Sequence, residues 1–281
     1  MKKALLIGIN YKSIPSIALN GCINDTINMR NVLIDAYGYD QANIVMLRDD
    51  SLNPLMQPTR NNIMRQLQLI ALQSSGLEEV WIHYSGHGSL INQIGNDTED
   101  TGMDQVIIPV DYKTGGIIID NDLLSIVKNI KCRAILLFDS CHSGTVCDLP
   151  WSFQCTNNTT YSRTQNNKVV IANPNIFMIS GCKDLQNSVD TTSVLLNESV
   201  GAFTNAFIEC LRNKRHNVSI MLLYRDVCAN LMSTGFTQVP LLSSSSMNPS
   251  YVINRSAVTN SPNANPKYTI VNAMKSIIYK R

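Results

Sequence analysis

Two short stretches carry residues able to cleave an acyl bond. LLFDSCHSGTVCD, Leu136 to Asp148, places Cys141 in a polar cluster directly after an apolar run, and HYSGHGS, His83 to Ser89, places His87 between Gly86 and Gly88. A cysteine attacks as its thiolate, and a thiol of ordinary pKa near ~8.5 is only slightly ionised at neutral pH, so it needs a base. His142 adjoins Cys141, but neighbouring side chains on extended chain point to opposite sides, which aims it poorly. His87 is the better base. The glycines beside it permit a sharp turn and free backbone N–H groups to meet a substrate oxyanion, with the Gly88 and Cys141 N–H groups as candidates. The plain alternative is a buried histidine and a structural thiol. Both residues standing at strand ends favours the dyad. A zinc site from His83, His87, Cys141 and Cys147 is weakened by the strand position of His83 and the lack of a C-x-x-C pair.

For the dyad to meet, its two strands must end together at one sheet edge, where open α/β sheets gather their chemistry. The hydrophobic pattern supplies such strands: Lys3 to Ile9, Asn43 to Leu47, Glu79 to Tyr84 and Ala134 to Asp139. Helices are expected between them, over Asn24 to Gly38 and from about Thr59 to Gln73. Alternation of this kind predicts a mostly parallel sheet with helices on both faces. Short apolar runs at Val106 to Pro109 and Gly116 to Ile119 predict a hairpin-like excursion, then a helix from about Asn121. The segment after Asp148, rich in Asn and Thr, reads as a mobile linker over about 151–174. A strand at Asn175 to Ser180, helices at Gly201 to Asn213 and Ser219 to Met232, and a strand at Pro240 to Leu242 follow. The stretch 256–281 reads as an appended tail.

At 281 residues, 44% of them hydrophobic, the chain can bury a proper core. Its net charge of +2 is scattered, without a basic run or interleaved aromatics, so no nucleic-acid footprint is expected. No segment has the length of a membrane span, and MKKALLIGINYKS reads as a strand, not a signal peptide; a cytoplasmic protein is expected. Most of the eight cysteines read as buried thiols.

The runs ALLIGINY, GCIND, YGYDQANIVMLRDD, PTRNNI, HYSGHGS, DQVIIPVD, FDSCHSGTVCDLP, SGCKDLQNSVD, GAFTNAF and QVPLLSSS follow one another as they do in metacaspases. Over roughly residues 3 to 252 the chain resembles these caspase-like cysteine peptidases, in a type I-like form without a Pro- and Gln-rich N-terminal extension. The separation of 54 positions from His87 to Cys141 agrees with the caspase spacing of about 50. The resemblance implies a caspase-hemoglobinase fold, a three-layer α/β/α sandwich with a mostly parallel central sheet. It implies one peptidase domain over 1–255, with a large part at 1–150 and a small part at 175–255, and a monomer whose caspase-type dimer edge is occupied. The implied activity is hydrolysis of proteins or peptides after Arg or Lys, with calcium as activator.

Asp139, two residues before the nucleophile, can line the cleft on the same side and favour a cationic P1 side chain, the one preceding the scissile bond. By resemblance the P1 pocket also takes Asp25 and Ser85, with Cys22 nearby; for Asp25 the plain alternative is a helix first-turn carboxylate. NDTEDTGMD fails as an EF-hand from Asp97, since Glu99, Thr101 and Ile108 fall at ligand positions. The calcium ligands implied by resemblance are Asp104, Asp120, Asn121 and Asp148, with Asp122 able to support the Asn121 position. Asp120 reads equally as a helix cap. Arg163 and Lys168, within the expected linker, suit the P1 preference as self-cleavage sites. The rival reading is a catalytically silent caspase-like scaffold or protein-quality-control factor. A nucleotide-binding reading fails because GINYKS stands where a G-x-G-x-x-G turn belongs.

Overall fold

Strands that are buried on both faces read as continuous apolar runs, and four such runs form the middle of the sheet. The structure, a computed structural model, describes residues 1–92, 103–141, 143–156, 160–181, 190–193, 198–236 and 238–256. In chain order the elements are β1 Lys2–Gly8, α1 Cys22–Tyr37, β2 Ile44–Arg48, α2 Arg60–Gln73, β3 Glu79–Ser85, β4 Gly88–Asn92 and β5 Met103–Ile107. Then come α3 Tyr112–Gly115, β6 Ile118–Ile119, α4 Asp120–Val127, β7 Arg133–Asp139, β8 Trp151–Cys155, β9 Tyr161–Gln165 and β10 Ile176–Ser180. The last are β11 Asp190–Ser193, β12 Glu198–Gly201, α5 Ala202–Asn213, β13 Asn217–Ser219, α6 Ile220–Ser233, β14 Leu241–Ser244 and β15 Val252–Asn254.

The main sheet has the order β2-β1-β3-β7-β10-β14-β8-β9. Pairings from β2 to β10 are parallel, and those from β10 outward are antiparallel. Alternate residues of each strand feed opposite cores. Ala4, Leu6, Ile135, Leu137, Phe177 and Ile179 pack with α1, α5 and α6 on one face. Leu5, Ile7, Ala134, Leu136, Ile176 and Met178 pack with α2 and α4 on the other. This is the expected α/β/α layering.

Local signals fix the helix ends. The Thr59 hydroxyl caps α2 by accepting from the Asn62 N–H at 3.2 Å, and α1 ends on Gly38 in the left-handed region. The anticipated excursion between β3 and β7 is a three-stranded antiparallel sheet, β4-β5-β6.

One expectation is overturned. The stretch at 151–174 is not a structureless linker: β8 and β9 pair along Trp151–Cys155 and Tyr161–Gln165 and extend the main sheet by two strands. β9 is exposed along its whole length, as an outermost strand can be, so its sequence has no apolar period to betray it. Arg163 therefore lies on a hydrogen-bonded edge strand, its guanidinium 5.6 Å from the Trp151 ring centre. Lys168 is exposed in the irregular chain that follows. The tail beyond Ser256 lies outside the described residues.

Candidate active site

β3 and β7 end level, with Ser85 opposite Asp139, so the loops that follow them emerge side by side. The Gly86 N–H donates to the Asp139 carbonyl at 3.3 Å. A Cβ on residue 88 would lie 2.1 Å from the Cys141 carbonyl oxygen, so glycine is required for the two loops to touch. The structure thus brings His87, Gly88 and Cys141 to one place. Cys141 is half-buried, and His142 lies outside the described residues.

His87 is held on three sides. Its Nε2 lies 2.7 Å from the Ile17 carbonyl. A carbonyl can only accept, so Nε2 carries the proton and a neutral ring keeps its lone pair on Nδ1. The His87 N–H donates to the Tyr11 hydroxyl at 3.1 Å, and the His87 carbonyl accepts from the Tyr84 hydroxyl at 2.7 Å. Tyr11 also packs its ring on the imidazole, centroids 4.8 Å apart, and donates to the Ile108 carbonyl at 2.5 Å. Burial pushes the Tyr11 and Tyr84 hydroxyls up from the ordinary tyrosine range, so both remain neutral.

At the same strand ends sits a second cluster, of carboxylates. Asp25 is buried in the first turn of α1; its Oδ2 accepts from the Ser85 hydroxyl at 2.6 Å and its Oδ1 from the Gly201 N–H at 2.9 Å. Asp139, at the end of β7, accepts at Oδ2 from the Thr204 N–H at 2.9 Å and the Thr204 hydroxyl at 2.7 Å. A Cβ on residue 201 would lie 2.1 Å from that Asp139 oxygen and 2.9 Å from Asp25 Oδ2, so both carboxylates crowd the start of α5. Cys22 is buried one turn before Asp25. The fold thus gathers Asp25, Ser85 and Asp139, and Asp25 is at once a first-turn residue and a member of the cluster.

The third group lies beyond the Cys141 loop. Asp104 on β5 and Asp120 at the start of α4 are both fully buried. Burial raises the Asp120 carboxyl to about 6, against bonds from the Gln105 N–H at 2.6 Å and the Asn121 N–H at 2.8 Å, and the Asp104 charge adds to the rise. Asp148, buried with a left-handed φ of 43°, follows Cys147, whose thiol is pushed up by burial and by the Asp148 and Asp120 charges. The donors are hard oxygens suited to calcium. Among the described residues, however, no three acidic, His or Cys side chains stand in a metal-holding arrangement, which also leaves the zinc set unformed. Asn121 is half-buried and gives its N–H to Asp120. Asp122 does not take over the Asn121 position: it is ion-paired to Arg60 at 2.8 Å.

Residues that sequence reasoning missed complete the picture. Ile17 acts through a backbone carbonyl, which no residue type announces. Gln105 joins the acidic group to the Cys141 loop: its side-chain carbonyl accepts from the Thr145 N–H at 3.0 Å and its amide nitrogen donates to the Thr145 hydroxyl. Gly201 and Thr204 stand in the run GAFTNAF, where a threonine in a first helical turn is the available signal.

A family model described as metacaspase, peptidase C14 domain, matches residues 2–150. Metacaspase-1A of Neurospora crassa is 35% identical over 87% of this chain and 63% of its own length. Metacaspase-1 of Kluyveromyces lactis is 35% identical over 87% of this chain and 66% of its own, so the chain spans just under two thirds of both relatives. Metacaspase-1B of Aspergillus terreus is 34% identical over 87% and 75%. Among solved structures, a Geobacter sulfurreducens protein matches with TM-score 0.57 at 21% identity, covering 88% of this chain and 94% of that one. Caspase-1 of Spodoptera frugiperda matches with TM-score 0.54 at 13% identity, covering 88% and 87%, a likeness of fold.

Proposed function

Because the chain belongs to the metacaspase family, peptidase C14, we propose that it is a calcium-stimulated cysteine endopeptidase cleaving proteins after Arg or Lys. The observation that carries this reading is the contact between the Gly88 and Cys141 loops at the ends of two level strands. His87 Nδ1 takes the Cys141 thiol proton while Nε2–H stays on the Ile17 carbonyl. The thiolate attacks the scissile carbonyl, and the Gly88 and Cys141 N–H groups receive the negative charge forming on its oxygen. The tetrahedral species collapses as the imidazolium protonates the leaving amine, giving a thioester. Water, deprotonated by His87, hydrolyses the thioester and restores the thiol.

Asp25 and Asp139 select the P1 side chain. Two adjacent buried carboxylates held by neutral donors favour a guanidinium or ammonium group and repel an acidic one. Asp104, Asp120, Asn121 and Asp148 stand in no metal-holding arrangement as they are, so they would hold calcium only by drawing together, and the ion would then supply the positive charge that offsets the repulsion between Asp104 and Asp120. Gln105 would then pass the rearrangement to the Cys141 loop through Thr145. Self-processing is assigned to Lys168 ahead of Arg163, because a protease takes extended, accessible chain and Arg163 is paired within the sheet. β8 and β9 cover the edge that β14 would otherwise offer to a second copy, in keeping with a monomer.

A fluorogenic panel with P1 Arg, Lys and Asp, run with calcium and with chelator on wild type and Cys141→Ala, tests this. Hydrolysis of the Arg and Lys peptides that depends on Cys141 and is stimulated by calcium is expected. Preference for P1 Asp would overturn the pocket assignment, and no thiol-dependent hydrolysis would overturn the activity itself.

A further inference from the structure

We infer that Thr204 is a positioning residue for P1 selection, its hydroxyl and backbone N–H together fixing the Asp139 carboxylate that recognises the cationic side chain. The inference rests on the proposed pocket and adds the residue that sets its geometry.

Thr204 lies in the first turn of α5 and is 1% exposed. Packing alone would be served as well by valine, which has the same shape and no polar atom to bury. The hydroxyl is instead spent on one oxygen: Oγ1 and N of Thr204 both donate to Asp139 Oδ2, at 2.7 and 2.9 Å. Two donors from one residue converging on one carboxylate oxygen fix its rotamer.

A third residue orients the hydroxyl. His83 Nε2 lies 3.4 Å from Thr204 Oγ1, on the strand that also carries Ser85. The single Thr204 hydroxyl proton is committed to Asp139, so Oγ1 accepts from His83 Nε2–H. Burial lowers His83 to about 3, which keeps it neutral at working pH. A neutral imidazole thus donates to a hydroxyl, which donates to a carboxylate. Such a chain strengthens each bond in turn while leaving the carboxylate's charge intact for a guest. An arginine in the place of Thr204 would hold Asp139 equally well but cancel that charge. The Gly201 N–H does the same neutral work for Asp25, so the start of α5 serves both carboxylates.

The test uses the full chain with peptides bearing P1 Arg or P1 citrulline, the uncharged isostere of arginine, comparing wild type, Thr204→Val and Thr204→Ser. The Arg-to-citrulline ratio of kcat/KM should fall about tenfold in Thr204→Val, through KM for the Arg peptide, and stay within about twofold of wild type in Thr204→Ser. A purely structural role would lower both peptides together. An unchanged ratio in folded Thr204→Val overturns the inference and leaves the pocket standing. A Thr204→Ser ratio as low as that of Thr204→Val overturns the role of the hydroxyl. A wild type indifferent to P1 charge overturns the pocket and this inference with it. Should Thr204→Val not fold, Thr204→Cys, whose thiol is a weak donor, is read in the same way.

Discussion

The carboxylates around Asp139 and those around Asp120 both border the Cys141 loop and are treated differently. Asp25 and Asp139 are each met by two donors at hydrogen-bond distance, drawn from β3, the last residue of β12 and α5. Asp104 and Asp120 are as deeply buried, and although Asp120 also accepts two backbone N–H bonds, burial and its neighbour's charge still drive it up to about 6. The first group is organised in advance for a guest, and the second becomes comfortable once a proton or cation arrives. The difference teaches that burying acids is not by itself a device. Whether the donors offset the burial decides if a cluster reads a substrate or waits for a signal.

The largest effect that sharpens this contrast is expected at Asp139. Asp139→Asn should lower kcat/KM for P1 Arg peptides about a hundredfold, with or without calcium, because a charged hydrogen-bonding partner is removed from the pocket. Steady-state kinetics in calcium and in chelator check it, and a loss seen only in calcium would merge the two clusters into one.

Next is the bridge between them. Gln105→Leu should cut calcium-stimulated turnover about tenfold while calcium still raises the Tm, since Thr145 loses its partner and the acidic group does not. Asp120→Asn should abolish the Tm shift itself. Thermal melts paired with the alkylation rate of Cys141 separate the two variants.

A smaller effect concerns pH, where the clusters should respond with opposite signs. His83, held at about 3 when folded and near ~6.5 when unfolded, binds more protons unfolded, so its contribution to stability is lost as pH falls from about 6.5 toward 3. Asp120, held at about 6 against ~3.9 unfolded, binds more protons folded, so without cation its contribution is lost as pH rises from about 4 to 6. Melts across pH 4 to 7 in chelator should show a shallower acid loss for His83→Phe and a steeper one for Asp120→Asn. Slopes that change in the same direction would dissolve the distinction.

The smallest effect lies away from both clusters. Lys168→Gln should slow self-cleavage severalfold and Arg163→Gln should not, as read from fragment patterns on gels after calcium addition. Equal slowing would mean that β9 unzips before the cut.

Much of this was readable along the chain. The strands came from apolar runs, the Gly38 and Thr59 helix ends from their capping chemistry, and the candidate nucleophile and base from a Cys and a His that each follow such a run. β9 was not readable, because an edge strand with every residue exposed imposes no hydrophobic period. Asp122 looked like a spare calcium donor until Arg60, 62 residues earlier, was found on its carboxylate.

The sequence by itself determined which atoms can react and which strands carry them, since those follow from residue type and local period. Only the tertiary structure decided that Ile17 holds the His87 tautomer, that Thr204 and Gly201 hold the Asp139 and Asp25 carboxylates, and that Gln105 spans two loops. Each of those is a hydrogen bond between residues far apart in the chain. Its existence depends on distance and direction in the folded state, and neither is written in residue type.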